Sequence, residues 1–260
     1  YLRRFTTPAV MEAIKMVDLK RQYKRFKDEI DVAIQEVLDS TAFINGPSVK
    51  VFREEFAGYL DVPFVIPCAN GTDALQVALM SLGLQPGDEV ITTPFSFIAC
   101  IEVIKLLKLV PVLADVDPRT FNIDPGQVER MVNRRTKAII PVHLFGQCAH
   151  MESILDIARK HGLYVIEDTA QAVGTDYLMQ DGGRKKAGTL GNIGPGLNTV
   201  GPTTNFAAVP VPGKLLLTLL ISLIMVDATL IEGRTLDEVD ALDSKIIAAL
   251  GPDPVMVYSP

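Results

Sequence analysis

Apolar residues in the first part of the chain recur at the spacing of an amphipathic helix. In DLKRQYKRFKDEIDVAIQEVLDS, Ile30, Ile34 and Leu38 form one stripe among charged residues, which is typical of a surface helix. Gly46 and Pro47 then interrupt the pattern and predict a break. PSVKVFREEFAGYL predicts a second, shorter helix, so residues 17–62 are expected to be mainly helical.

From residue 64, short apolar runs alternate with amphipathic stretches. The predicted strands are FVIPCAN, DEVITTP, VPVLADVD, KAIIPVHLFG and YVIEDTA. The helices predicted between them are TDALQVALMSLGL, FIACIEVIKLLKL, DPGQVERMV and MESILDIARKHG. This alternation, with β-branched residues in the strands, is typical of a parallel sheet covered by helices on both faces. The pattern therefore predicts an α/β domain.

The alternation ends after GTLGNIG, at residue 194. The next stretch is rich in Gly, Pro, Thr and Asn and predicts a loop. The apolar run at residues 215–226 is shorter than the roughly 20 residues that a membrane helix needs, so a buried core segment is expected. Residues 236–250 carry apolar positions at helical spacing, and Gly251 predicts a helix end.

Charge and cysteine content narrow the class of protein. The chain of 260 residues has 25 Lys and Arg against 31 Asp and Glu, a net charge of −6. Without a basic block, this balance argues against nucleic-acid or anionic-membrane binding. Cys68, Cys100 and Cys148 have no metal-ligand spacing and predict a reducing, cytoplasmic compartment. The basic N-terminal stretch lacks an apolar centre, so a secretory signal is not expected.

In parallel α/β sheets, ligands bind beyond the carboxyl ends of the strands. We call the segments that follow the predicted strands the carboxyl-end rim, and it consists of residues 70–73, 92–97, 115–117, 143–146 and 167–171. Polar and aromatic residues are frequent in these segments. We therefore expect the functional site at this rim.

The turn at Gly71, Thr72 and Asp73 joins a strand to a helix. Glycine allows close backbone approach, and a helix N-terminus offers free N–H groups to a phosphate. The alternative is an ordinary turn capped by Asn70 or Thr72. The turn matches neither GxGxxG nor a Walker loop, so dinucleotide or ATP binding gains no support.

Two other rim segments have competing explanations. Phe95 and Phe97 either pack in the core or stack on a planar ring. Asp115 and Asp117 form a DxD pair, which in a glycosyltransferase would hold a metal and a sugar diphosphate. The alternative for this pair is a turn in which the Asp side chains bond their own backbone.

The last two rim segments contain His143, Glu167 and Asp168. A lone histidine is either a hydrogen-bonding or acid–base group or a satisfied core residue. A carboxylate at the end of a buried strand needs a cation or several donors. The alternatives are that Glu167 is exposed and that Asp168 caps a helix.

One ligand fits the rim as a whole: a planar, phosphorylated, protonated pyridine. Asp168 would pair with its ring nitrogen and make it an electron sink, and Phe97 would stack on the ring.

The chain resembles the DegT/DnrJ/EryC1/StrS family of sugar aminotransferases from about residue 16 to 194. The motifs of this resemblance are MVDLKRQY, FINGPSV, CANGTDALQVAL, GDEVITTPFSFIA, DVDPRTFNIDP, TKAIIPVHLFGQ and LYVIEDTAQAVG. The resemblance implies a fold-type-I, three-layer α/β large domain that binds pyridoxal 5′-phosphate (PLP). It implies a nucleotide-linked keto sugar as substrate, glutamate as amino donor and a homodimer. Some motifs look most like the branch that aminates 3-keto sugars of UDP-linked N-acetylated uronic acids.

The resemblance also assigns roles by position. It implies that Asp168 pairs with the ring nitrogen and is catalytic, and that His143 lies near the cofactor on the substrate side. The residues implied to bind the cofactor are Gly71, Thr72, Asp73, Phe97, Asp168 and Gln171. Three parts are expected along the chain: an N-terminal extension at residues 1–15, the PLP-binding domain at residues 16–194, and an unmatched tail at residues 195–260.

One family feature has no counterpart in this sequence. The family lysine that bonds covalently to PLP would fall near Pro202, but no lysine lies between Lys186 and Lys214. The family's small C-terminal domain has no match in residues 195–260 either and is expected to be missing or aberrant. Two hypotheses follow: an aminotransferase, or a non-catalytic remnant that binds PLP or a partner without turnover. A third, a metal-dependent glycosyltransferase, rests on the DxD pair alone.

Overall fold

A computed structural model describes residues 18–193 and the backbone of residues 256–258. The helices are α1 (Leu19–Ser40), α2 (Pro47–Leu60), α3 (Gly71–Ser81), α4 (Ala99–Leu106), α5 (Pro125–Met131) and α6 (Met151–His161). The strands are β1 (Val65–Pro67), β2 (Glu89–Thr92), β3 (Val110–Leu113), β4 (Thr136–Ile139), β5 (Tyr164–Val165), β6 (Asp176–Leu178), β7 (Arg184–Lys186) and β8 (Met256–Tyr258). The β–α alternation predicted from residue 64 is confirmed.

Four strands form the central sheet in the order β3-β2-β4-β5. Every pairing in it is parallel, as the sequence predicted. Isolated parallel bridges continue the sheet beyond β4 and β5, where Val142 faces Asp168 and Ile166 faces Ile193. The rim segments therefore leave the sheet at one edge, because parallel strands share their carboxyl end.

Helices cover both faces of this sheet. Successive strand residues point to opposite faces, and Val90 packs with α3 and α4 while Ile91 packs with α5 and α6. Ala138 and Ile139 of β4 divide between the two sides in the same way. The result is the three-layer arrangement expected. A smaller apolar cluster joins α2 to β1 through Phe52, Phe56, Leu60 and Val65.

Two strand pairs lie outside the central sheet. The antiparallel pair β6–β7 follows the rim and was not predicted, because its strands are short and polar. β1 pairs in parallel with β8, so part of the tail returns to the domain. The predicted apolar run at residues 215–226 and the predicted helix at residues 236–250 lie outside the described residues. Within residues 18–193, no helix has the length and the apolar character needed to cross a membrane.

Candidate active site

Asp168 follows β5 after Ile166 and Glu167, and it is 8% exposed. Its Oδ1 accepts the Ala170 N–H at 3.0 Å, and its Oδ2 accepts the Cys100 thiol at 3.2 Å. Burial raises the pKa of Asp168, whereas the Ala170 amide, the Cys100 thiol and the nearby His143 ring oppose that rise. No ion pair among residues 18–193 includes Asp168. A buried carboxylate with two neutral donors retains acceptor capacity for a cation.

Glu167 is fully buried, so the alternative that it is exposed at the strand end is wrong. Its Oε2 contacts Nε2 of His143 at 2.9 Å and accepts the Gly188 N–H at 3.0 Å. Its Oε1 accepts the Leu190 N–H at 2.6 Å and also the Gly191 N–H. Four donors therefore satisfy this carboxylate, and it holds residues 188–191 against the end of β5.

His143 has no exposed surface. Its Nδ1 accepts the Ala149 N–H at 3.2 Å, and its Nε2 faces Glu167. Both ring nitrogens are therefore engaged within the protein, which favours the satisfied-core alternative. A direct substrate contact by His143 stays a prediction, and the buried position of the ring does not support it.

The N-terminus of α3 is a capped helix start, as the alternative for this turn predicted. Asn70 is the cap, since its Oδ1 accepts the Asp73 N–H at 2.9 Å. Its Nδ2 also donates to Asp73 Oδ2 at 2.9 Å. Burial raises the pKa of Asp73, and the Asn70 hydrogen bond opposes that rise. The amides of Gly71 and Thr72, at the first two helical positions, have no partner within the helix, so they are the donors available to a phosphate.

The aromatic residues of the rim are not core residues. Phe97 is 57% exposed and Phe95 is 47% exposed, so the core alternative is wrong for both. Phe95 packs against Phe121 and Phe145, with ring centroids 5.7 Å and 6.5 Å away. No aromatic contact is found for Phe97 among the described residues. Its ring is therefore accessible for stacking.

Gln171 follows Asp168 in the same rim segment. Its Oε1 accepts the Phe145 N–H at 2.9 Å, so its side-chain NH₂ is the group left to meet a ligand oxygen. Phe145 has a left-handed backbone with φ 55°. Such a conformation is uncommon outside glycine, and the hydrogen bond to Gln171 helps to hold it.

The DxD pair forms a turn. Asp115 Oδ1 accepts the Val116 N–H, and Asp117 Oδ1 accepts the Arg119 N–H, each at 2.8 Å. The Arg119 guanidinium also donates to Asp117 Oδ2 at 2.9 Å. Within residues 18–193, no group of three His, Cys, Asp or Glu side chains could hold a metal. The turn explanation is confirmed, and the glycosyltransferase hypothesis has no support in the described part of the chain.

One apolar core connects these parts of the rim. Ala74 and Leu75 of α3, Cys100 of α4 and Ile166 beyond β5 belong to the same buried cluster. The helix that presents Gly71 and Thr72 therefore packs on the helix whose Cys100 contacts Asp168. Sequence reasoning missed Cys100 and residues 188–191, since a small apolar residue in a helix and a glycine-rich turn carry no specific signal.

The profile of the DegT/DnrJ/EryC1/StrS aminotransferase family matches residues 24–195. The chain belongs to this family. A solved family aminotransferase from Brucella abortus has a TM-score of 0.65 and 38% identity, with 70% of this chain and 49% of that chain covered. NtdA from Bacillus subtilis, solved with bound cofactor PMP, has a TM-score of 0.61 and 35% identity over 65% of this chain and 39% of its own. The fold is that of the PLP-dependent aminotransferases.

Curated relatives match the same part of the chain. The UDP-2-acetamido-2-deoxy-3-oxo-D-glucuronate aminotransferase of Pseudomonas aeruginosa is 49% identical over 63% of this chain and 46% of its own length. A pleiotropic regulatory protein of Geobacillus stearothermophilus is 51% identical over 63% of this chain and 44% of its own. The chain thus spans about half the length of the curated relatives it matches.

Proposed function

We propose that residues 16–194 form the PLP-binding domain of an aminotransferase that uses glutamate to aminate a nucleotide-linked keto sugar. Family membership supports this proposal, and the main structural support is the environment of Asp168. Asp168 is a buried carboxylate at the carboxyl end of a parallel sheet, with neutral donors and no ion-pair partner among the described residues. A protonated ring nitrogen would complete its environment.

The side chains and amides of the rim fit PLP. Asp168 would pair with the ring nitrogen, Phe97 would stack on the ring, and the NH₂ of Gln171 would meet the ring hydroxyl. The free amides of Gly71 and Thr72 would hold the phosphate, with Thr72 adding a hydroxyl and Asp73 fixed by the Asn70 cap. PLP bound there would supply an electron sink, which Asp168 sustains by keeping the ring nitrogen protonated.

The substrate class is proposed from the named relatives. One similar protein is an aminotransferase of a UDP-linked 3-oxo-glucuronate, and another is a UDP-N-acetyl-3-dehydro-alpha-D-glucosamine 3-aminotransferase that is 43% identical over 182 residues. Both names describe amination at a 3-keto carbon of a UDP sugar. We propose a UDP-linked 3-keto sugar for this chain. The homodimer and the cytoplasmic location stay predictions.

A second candidate function is PLP binding without turnover. The absence of lysine between Lys186 and Lys214 favours it, because a missing proton-transfer base costs a typical enzyme about 10²–10⁴-fold in rate. Under this hypothesis the rim still binds the cofactor. The two candidates therefore differ in covalent attachment and in turnover, and share the binding residues.

The testing experiment adds PLP to the purified chain and records the visible spectrum, followed by borohydride reduction and peptide mass mapping. Saturable binding that Asp168→Asn weakens would support the site. A single labelled lysine would identify the covalent attachment point and favour the enzyme, whereas binding without labelling would favour the non-catalytic candidate. Equal PLP affinity in Asp168→Asn and the parent chain would remove Asp168 from the site and overturn the proposal.

A further inference from the structure

Cys100 makes a buried contact with the carboxylate that the proposed function assigns to the ring nitrogen. Its Sγ lies 3.2 Å from Asp168 Oδ2. Cys100 is 1% exposed and Asp168 is 8% exposed. Cys100 is the second residue of α4, and Asp168 lies in the segment that follows β5. The contact therefore joins two elements that are 68 residues apart in the chain.

The direction of this hydrogen bond follows from the surroundings of the thiol. Burial raises the pKa of Cys100 well above its ordinary value, and the neighbouring Asp168 charge raises it further. The sulfur therefore keeps its proton, and the S–H is the donor to Oδ2. The backbone N–H of Ala170 donates to Oδ1 at 3.0 Å, so each carboxylate oxygen has one fixed donor.

Two donors on two oxygens restrict how the carboxylate can rotate. Rotation about the bond that carries the carboxylate would break both hydrogen bonds, so the group is held in one plane. Each oxygen keeps a further lone pair. We propose that Cys100 is a positioning residue, which orients the Asp168 carboxylate towards a protonated ring nitrogen; this inference rests on the proposed function.

The test compares PLP with a carbocyclic analogue in which a C–H group replaces the ring nitrogen. Equilibrium dissociation constants for both are measured with the parent chain, Cys100→Ala, Cys100→Ser and Asp168→Asn. Serine keeps a hydroxyl donor at this position, and alanine differs from serine only in lacking that hydroxyl. Cys148→Ala is the control, since Cys148 is a partly buried cysteine that makes no hydrogen bond to Asp168.

We expect Cys100→Ala to weaken PLP binding about fivefold, as for the loss of one weak donor to a charged group. Affinity for the carbocyclic analogue should stay within about twofold of the parent, because that ring has no nitrogen for Asp168 to meet. Cys100→Ser should restore PLP affinity to the parent value, and Cys148→Ala should match the parent with both ligands. If Cys100→Ala does not fold, Cys100→Val fills the volume without a donor and takes its place.

Two results separate the inference from the function on which it rests. If Asp168→Asn weakens PLP binding but not analogue binding, while Cys100→Ala leaves both unchanged or weakens both equally, the positioning role is refuted and the function stands. If Asp168→Asn itself does not distinguish the two ligands, the proposed function fails and the role of Cys100 fails with it.

Discussion

Nε2 of His143 lies 2.9 Å from Oε2 of Glu167, and neither side chain has any exposed surface. The carboxylate also accepts three backbone amides from residues 188–191. This contact links the rim segment after β4 to the segment after β5 and to the turn that follows β7. The pair lies beside Asp168, whose backbone carbonyl accepts the backbone N–H of His143 at 2.9 Å.

Glu167→Gln should destabilise the protein strongly. An amide offers one acceptor oxygen to a site built from four donors, and its NH₂ would face donors. Leaving buried donors without their charged acceptor typically costs about 1–3 kcal/mol. The free energy of unfolding, measured in urea, should fall by that amount. Glu36→Gln, on the exposed surface of α1, should change it by less than about 0.5 kcal/mol. Similar stability of the two variants would contradict the four-donor arrangement.

The hydrogen bonds of His143 specify its tautomer. Because Nδ1 accepts the Ala149 N–H, it cannot carry a proton, so the proton of the neutral ring lies on Nε2 and is donated to Glu167. Nitrogen-15 NMR of the imidazole near neutral pH should show Nε2 protonated and Nδ1 unprotonated. A protonated Nδ1 would mean that the Ala149 contact is absent in solution.

Gly191 cannot accept a side chain. A Cβ there would lie 2.7 Å from the Val165 carbonyl oxygen and 3.3 Å from Cγ of Glu167, so Gly191→Ala must displace backbone and disturb the Glu167 contacts. We expect a loss of about 1–3 kcal/mol in the free energy of unfolding. Gly58→Ala in α2 is the matched control, because its Cβ would meet nothing within 4 Å. That variant should gain about 0.5–1 kcal/mol. A neutral Gly191→Ala would contradict the close approach.

Asp117 should contribute a stability term that depends on pH. The Arg119 side chain, followed by the Arg119 backbone N–H, lowers the pKa of Asp117 to about 2. A lowered pKa stabilises the folded state above the unfolded value of about 3.9, and the gain disappears as pH falls through about 2. Asp117→Asn should therefore be less stable than the parent at pH 5 but not near pH 2. The measurement is chemical denaturation of both proteins at both pH values, and a constant difference would contradict the assignment.

Much of the fold follows from local patterns. The alternation of apolar strands and amphipathic helices identified every strand of the central sheet and the helices between them, because a parallel sheet covered by helices is built from short apolar strands joined by amphipathic helices. The place of the site also followed, since parallel strands bring their carboxyl ends to one edge. The β6–β7 pair was missed because its strands are exposed and polar, and carry no hydrophobic signal.

The sequence by itself determined the chemistry available at the rim, including the carboxylate of Asp168, the ring of Phe97 and the glycine-led turn at Gly71. Only the tertiary structure decided which of these groups are satisfied by the protein. Glu167 and Asp168 are adjacent in sequence and both buried, yet one is held by four donors and the other by two neutral ones. That difference arises from donors on α4, in the segment after β4 and in residues 188–191. These donors are far from Glu167 and Asp168 along the chain, so no local sequence pattern predicts the contacts.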